Sequence, residues 1–210
     1  VLTGQRTRRT SNWSGVWGPC RNVNIFFDNY GKCGDAFERY RHYVGEAHFF
    51  RTWFYFNLLK KYGDLPWYSG ALRIDDEEGL TRPRELRTVI ADSILADLDK
   101  AIACLDVRTS VGNLRINKES ALAFKSRVAL YEGSWQKYHA GSEFGTNGAD
   151  PDKYFRQCIH AAEELINGNY TAGIYTTGNP DTDYYDLFGL DNMYHINEVL
   201  LYRAFSIADG

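Results

Sequence analysis

The chain has 210 residues, of which 44% are hydrophobic and 24% charged, and its formal net charge at pH 7 is −3. This is the composition of a globular protein of about one domain, so it excludes a disordered chain, a collagen and a coiled coil. The longest apolar runs, such as 53–56, are far shorter than the roughly 18 residues that a spanning helix needs. The slightly acidic charge predicts no nucleic-acid partner, since the one basic cluster is Arg6, Arg8 and Arg9.

Two helices are predicted in the first third of the chain. The first starts near Pro19, which suits a first helical turn, and its apolar residues keep a helical period to about residue 30. The second covers 35–61 and has the strongest pattern, with apolar residues mostly three or four positions apart. A basic pair followed by Gly63 marks its end, and Gly45 inside it indicates close packing against another helix.

Three further helices and a strand are predicted in the rest of the chain. From their apolar period and start signals, the helices cover Pro83–Leu105, Asn117–Tyr138 with Asn117 as the N-cap, and Asp150–Ile166 with Asp150 as the N-cap and Pro151 in the first turn. The segment 169–196 is expected to be mostly irregular. Glu198–Ile207 is rich in β-forming residues and predicts a strand.

The predicted fold is therefore mainly α. Helix pairs at a spacing of roughly 34 residues are typical of tetratricopeptide-like packing, although the strict repeat consensus is absent. We expect a single domain over 1–210 with long loops and minor β structure at the C-terminal end. Because Val1 is not a start methionine and the final strand has no partner hairpin, we expect a domain that is incomplete at both ends.

The four cysteines, at positions 20, 33, 104 and 158, form no C-x-x-C pair. The zinc and thioredoxin spacings are therefore absent. Two interpretations stay open: Cys20 pairs with Cys33, or all four are free, small apolar side chains.

Three stretches carry a family resemblance. They are GEAHFFRTWFYFNLLKKYGDLPWY (45–68), TRPRELRTVIADSILADLDKAI (81–102) and NKESALAFKSRVALYEG (117–133). The first contains a Glu-x-x-x-x-Arg pattern at Glu46 and Arg51 and a Tyr-Gly-Asp-x-Pro pattern that starts at Tyr62. In this order and spacing the three resemble the SusD/RagB family of outer-membrane nutrient-binding lipoproteins.

The resemblance implies a function in nutrient uptake. A SusD-like protein is exposed at the surface of the outer membrane, binds an oligosaccharide or a starch-like polysaccharide, and delivers it to a SusC-like TonB-dependent transporter. It is not an enzyme, needs no cofactor and touches the membrane only through a lipid anchor. The best described sugar-contacting aromatics of the family lie before the segment matching Ser11–Tyr30 and after the one matching Glu198–Ile207.

Other functions stay open at this point. One is RagB-like capture of a peptide, and another is a helical scaffold that binds only protein. A helical glycoside hydrolase would need two carboxylates about 5 to 9.5 Å apart, and a chain of this size makes only half of a typical helical barrel.

Six residues are candidates for ligand binding: Trp13, Trp17, Arg21, Trp67, Tyr68 and Arg203. An aromatic ring can cover the C–H face of a pyranose while neighbouring donors reach its hydroxyl groups. The first three lie at helical spacing and share a face. Trp67 and Tyr68 follow Pro66. Arg203 lies a few residues before Ser206 and Asp209. The alternatives are core packing for the aromatics and ordinary solvated charge for the arginines.

No metal or catalytic motif is predicted. Asp181-x-Asp183 lacks the glycine and glutamate of a calcium loop, and His42 with Glu46 forms no H-E-x-x-H motif. The nucleotide-binding and hydrolase motifs are absent as well.

Glu46 and Arg51 are five residues apart on one helix, so we expect each to pair with another segment.

Overall fold

The computed structural model describes residues 13–204, and these form eight α-helices. The helices are α1 (Gly18–Asn29), α2 (Phe37–Tyr62), α3 (Glu77–Leu80), α4 (Arg87–Cys104), α5 (Arg108–Val111), α6 (Lys118–Tyr138), α7 (Pro151–Asn167) and α8 (Asp183–Phe188). The short helices α3, α5 and α8 were not predicted, because each is too short to show an apolar period.

Four long helices form the scaffold as two antiparallel pairs, α2 with α4 and α6 with α7. At one end of the first pair, Arg41 donates a hydrogen bond to the carbonyl of Cys104. At the other end, Arg87 reaches the carbonyl of Leu59 at 3.4 Å. Helix α4 also packs on α6 and joins the two pairs. The mainly α, tetratricopeptide-like fold is confirmed.

The pairs are further apart in sequence than a regular repeat. They begin at Phe37 and Lys118, whereas tetratricopeptide units repeat at about 34 residues. The extra length lies mainly in the connection between α2 and α4, residues 63–86, which contains α3. This connection forms one wall of the groove described below.

The core lies between α2, α4 and α6. Helix α4 contributes a stripe one turn apart, Ile90, Ile94 and Leu98, and all three are fully buried. Tyr55 and Leu59 of α2 meet this stripe and are equally buried. The amphipathic pattern of the sequence thus marks the faces that pack.

The helix starts follow local hydrogen-bonding rules. Asn117 accepts the Ser120 N–H at 2.8 Å, and the Ser120 hydroxyl accepts the Asn117 N–H at 3.1 Å, which makes a capping box. Asp150 accepts the N–H of Lys153 at 3.0 Å. Both predicted N-caps are confirmed.

Helix α4 starts four residues later than predicted. Residues 83–86 are extended instead, because Glu85 forms a β-bridge with Leu65. The Asp64 carboxylate then accepts the N–H of Arg87 at 2.8 Å and satisfies the first turn. Proline therefore precedes the helix rather than opening it.

The predicted C-terminal strand is wrong over residues 198–204, which form turns and irregular backbone. Residues 205–207 lie outside the described residues. No strand lies beside this segment in the part of the chain that is described; side chains at the start of α6 hold it instead. Asn117 donates to the Leu200 carbonyl at 2.8 Å, and Asn113 to the Val199 carbonyl at 3.3 Å. β-Propensity depends on such context and yields to it here.

The structure decides between the two interpretations of Cys20 and Cys33, which do not form a disulfide bond. Cys20 is buried, Cys33 is exposed, and both are free thiols. No helix within residues 13–204 combines the length and the apolar character required to cross a bilayer.

Gly45 allows the start of α2 to approach the end of α4. A Cβ atom there would lie 2.8 Å from Leu105 Cγ and 2.9 Å from its backbone nitrogen. We expect Gly45→Ala to lower the free energy of unfolding by about 1–3 kcal/mol through overpacking, although alanine favours a helix. Urea unfolding measures this change. Gly31→Ala is the control, because a Cβ there meets nothing within 4 Å; equal effects for both variants would contradict the prediction.

Candidate functional site

An open groove of about 770 Å³ lies between α1 and the 63–86 connection. The turn before α1 and the start of that helix form one wall, and the stretch 66–84 forms the other. The rings of Trp13, Trp17 and Tyr68 line it together with four arginines. The groove therefore combines flat apolar surfaces with hydrogen-bond donors.

The aromatic wall is a set of rings in edge-to-face contact. The ring centroids of Trp13 and Trp17 are 5.2 Å apart at 77°, and those of Trp17 and Tyr68 are 5.6 Å apart at 79°. The two tryptophans lie on one side of the chain, as their spacing predicted, but their rings are not coplanar. They form two faces of a corner rather than one flat platform.

Local backbone structure places these rings. Residues Ser14–Val16 form a 3-10 turn, which returns Trp13 to the side of Trp17. Trp17 is the N-cap residue of α1, and Pro19 lies in the first turn. Proline suits this position because its missing N–H is not needed there.

A buried asparagine fastens the opposite wall to α1. The Asn24 amide donates to the carbonyls of Tyr68 at 2.9 Å and of Gly70 at 3.0 Å. Its oxygen accepts a hydrogen bond from Arg51 of α2 at 3.2 Å. One side chain therefore joins three segments of the groove region.

Arg51 is the central cation beneath the groove. Its Nη1 donates to the Ser69 carbonyl at 3.2 Å, and its Nε donates to Asp97 at 2.5 Å. The guanidinium also lies 4.4 Å from the Phe27 ring centroid and 5.5 Å from that of Trp67. The expectation that Arg51 pairs with another segment is confirmed, as it is for Glu46, which binds Arg115.

The carboxyl group of Asp97 stays ionised in this environment. Burial acts to raise its pKa, but the approach of His48 at 3.4 Å together with the hydrogen bond and charge of Arg51 outweighs burial and holds the pKa at about 2. The buried Arg51 therefore has a permanent counter-charge at neutral pH.

Two buried side chains at and beneath the groove, Cys20 and Tyr55, are held in their protonated forms. Burial raises the pKa of the Cys20 thiol to about 12, although the Arg51 charge lowers it, so the thiolate needed of a nucleophile is not formed at neutral pH. The Tyr55 hydroxyl, whose pKa burial also raises, accepts the Tyr68 N–H at 2.8 Å. These groups support the loop.

Four of the six predicted residues meet in the groove, namely Trp13, Trp17, Arg21 and Tyr68. Trp67 does not line it: its ring packs on Tyr55 with a centroid distance of 4.2 Å, as the core-packing alternative predicted. Arg203 is exposed and lies outside the groove, after the segment held at the start of α6. Ser206 and Asp209 lie outside the described residues.

Three groove arginines were missed as site residues, namely Arg73, Arg82 and Arg84. For Arg82 and Arg84 the signal was the arginine-rich start of the second family stretch, which was predicted to be helical from Pro83 onward. Because 83–86 is extended, Arg84 and the preceding Arg82 border the groove, whereas Arg73 reaches it from the irregular backbone before α3.

Asp183, which belongs to the Asp181-x-Asp183 pattern considered above as a calcium loop, has a structural role. Asp183 accepts hydrogen bonds from the Thr177 hydroxyl and backbone and from the Thr176 hydroxyl, which lower its pKa. Within the described range, no cluster of three or more His, Cys, Asp or Glu side chains is arranged to hold a metal ion.

Comparison with solved structures identifies the fold. A SusD-like protein from Bacteroides fragilis is 25% identical, with a TM-score of 0.65 over 83% of this chain and 30% of that one. A laminarin-binding SusD-like protein is 19% identical, with a TM-score of 0.62 over 90% of this chain and 36% of that one. Because this second structure is only 19% identical to the chain, the similarity between them shows a shared fold and nothing more.

Sequence comparison agrees. SusD-like protein P38 of Formosa agariphila is 29% identical over 94 residues, 45% of this chain and 18% of that protein. SusD-like protein P2 of the same organism is 23% identical over 163 residues, 77% of this chain and 31% of that protein. The chain thus spans less than a third of either relative. A SusD-like family model described as starch-binding and associating with the outer membrane matches residues 2–130. The chain belongs to this SusD-like family.

Proposed function

We propose that the protein binds an oligosaccharide in the groove between α1 and the 63–86 connection. The observation that supports this is the meeting of Trp13, Trp17, Tyr68 and Arg21 in one cavity of a member of a starch-binding family. A volume of about 770 Å³ falls within the range of small-ligand sites, and it suits a few sugar rings.

The proposed mechanism is recognition without bond cleavage. A pyranose ring lays its C–H face on Trp17 or Trp13, and arginine N–H groups at the rim donate to its hydroxyl groups. Arg21 is held for this by its hydrogen bond to the Leu72 carbonyl at 2.7 Å. The rigid helical scaffold keeps the two walls at a fixed separation.

Calorimetric titration with a panel of plant and host oligosaccharides tests the proposal. We expect Trp17→Ala to weaken binding about fivefold or more, because it removes a stacking surface worth roughly 1 kcal/mol or more. Trp53→Ala is the matched control: this tryptophan is half exposed on α2 and is not part of the groove. Circular dichroism confirms that both variants fold.

Two results would overturn the proposal. The first is equal weakening of glycan binding by the two tryptophan variants. The second is binding of peptides to the groove in the absence of any glycan binding, which would favour RagB-like capture.

We further propose that the whole protein acts at the cell surface and passes the glycan to a SusC-like TonB-dependent transporter. The support is the outer-membrane association in the family description. Co-purification with an outer-membrane transporter from membranes of the source cells tests this step. Recovery of the protein without any transporter would contradict it.

A further inference from the structure

Among residues 13–204, every charged side chain that lines the groove is positive. Arg21 comes from α1, and Arg73, Arg82 and Arg84 come from the opposite wall. No aspartate or glutamate of the described part of the chain is among the lining residues. This is unexpected in a chain whose net charge is −3; we call the cavity the basic groove.

The acidic side chains of the same connection point to a different place. Asp76, Glu78 and Glu85 line a neighbouring, smaller cavity of about 500 Å³ on the other side of the 68–72 loop, which Arg82 also borders. Two carboxylates lie close to the basic groove without lining it. Asp75 pairs with Arg73 at 2.9 Å, and Asp28 accepts the N–H of Ala71 at 3.0 Å. Within the described residues, the charged side chains that line the basic groove are therefore arginines, one of which, Arg82, also borders the smaller cavity.

Three of the arginines have no carboxylate partner among residues 13–204. Arg21 donates to the Leu72 carbonyl at 2.7 Å, and Arg82 donates to the Trp67 carbonyl at 2.8 Å. Arg84 lies over the Trp13 ring, 4.7 Å from its centroid. These contacts orient the guanidinium groups and leave most of their five N–H donors for a ligand.

We propose that the ligand of the basic groove is an acidic glycan, whose sugar rings carry carboxylate or sulfate groups; this rests on the proposed function of the groove. The guanidinium groups of Arg21 and Arg84 pair with the anionic group in the planar, bidentate manner that suits carboxylates and sulfates. The tryptophan corner stacks on the ring that bears it. A neutral sugar would leave this charge uncompensated and bind less well.

Titration with ligands of equal length tests the inference. The ligands are a neutral oligosaccharide, an oligouronate, a sulfated oligosaccharide and an oligoglutamate peptide. We expect at least one acidic glycan to bind about tenfold tighter than the neutral one at about 50 mM salt, and this preference to shrink at about 500 mM salt. The uronate and sulfate arms distinguish the two anionic groups.

Charge-removing variants sharpen the test. We expect Arg84→Gln and Arg21→Gln each to weaken acidic-glycan binding about fivefold or more, and to weaken neutral-glycan binding by a clearly smaller factor, because a neutral sugar loses one hydrogen bond but no charge pair. Arg39→Gln is the matched control, since Arg39 is an exposed arginine of α2 that pairs with Asp35. It should change neither affinity.

The outcomes separate this inference from the proposed function. Equal affinities for neutral and acidic glycans would overturn the inference, while the proposed function, glycan binding in the groove, would stand. Oligoglutamate binding as tight as that of the acidic glycans overturns it too, because charge alone would then suffice. Failure of every glycan to bind overturns the proposed function itself.

Discussion

Replacing Glu132 with glutamine is expected to lower the free energy of unfolding by about 3–5 kcal/mol. Glu132 of α6 is completely buried and accepts the Nε–H of Arg87 with both oxygens, at 2.9 and 3.1 Å. Arg87 is also buried, so removing the negative charge leaves an uncompensated cation in the interior. Since Arg87 further reaches Leu59 of α2, the loss affects three helices. Urea unfolding at neutral pH measures it.

Two controls isolate the ion pair. The double variant Arg87→Met with Glu132→Leu should recover much of the loss, because an apolar pair of similar volume avoids the desolvation cost. Asp35→Asn breaks the exposed pair with Arg39 and should cost less than about 1 kcal/mol. If Glu132→Gln cost no more than Asp35→Asn, the buried pair would not hold the helices together.

The helical scaffold could be predicted because its signals are local. The cap residues Asn117 and Asp150 and the apolar stripe of α4 each specify their helix through neighbouring positions. The close approach at Gly45 followed from a glycine inside a strong helix, and the structure places Leu105 against it. These features need no knowledge of distant segments.

The groove could be predicted only in part, because it depends on contacts far apart in sequence. Trp13 and Trp17 were found from composition and spacing, but Arg82 and Arg84 border the groove only because Glu85 bridges to Leu65. The aromatic residues of α2 show the same dependence on distant segments. Tyr55 is buried, yet Trp53 is half exposed, because the described chain packs on one side of this turn.

Replacing Asp97 with asparagine is expected to cost about 3 kcal/mol at neutral pH. The carboxylate is 3% exposed and lies 2.5 Å from Arg51 Nε and 3.4 Å from His48 Nδ1. Asparagine keeps the shape and removes the charge, which leaves Arg51 buried without a counter-ion. Urea unfolding of both proteins measures the difference.

This difference should depend on pH in a defined direction. The folded-state pKa of Asp97 is about 2, below the value of about 3.9 in an unfolded chain. The stabilising contribution, about 2–3 kcal/mol, is therefore complete above about pH 5 and is lost as the pH falls through 2. Wild type and Asp97→Asn should converge over that range. A constant difference between pH 6 and pH 2 would contradict the low pKa.

Asp97→Asn should also affect the groove, which it does not touch. Asp97 orients Arg51, Arg51 donates to Asn24 and to the Ser69 carbonyl, and Asn24 fixes both walls. We therefore expect the folded variant to bind glycan about fivefold more weakly or worse, a loss of roughly 1 kcal/mol. Asp99→Asn is the matched control, because it breaks the ion pair between α4 and Lys125 of α6 instead. Equal affinities for the two variants would show that the buried charge stabilises the scaffold without shaping the site.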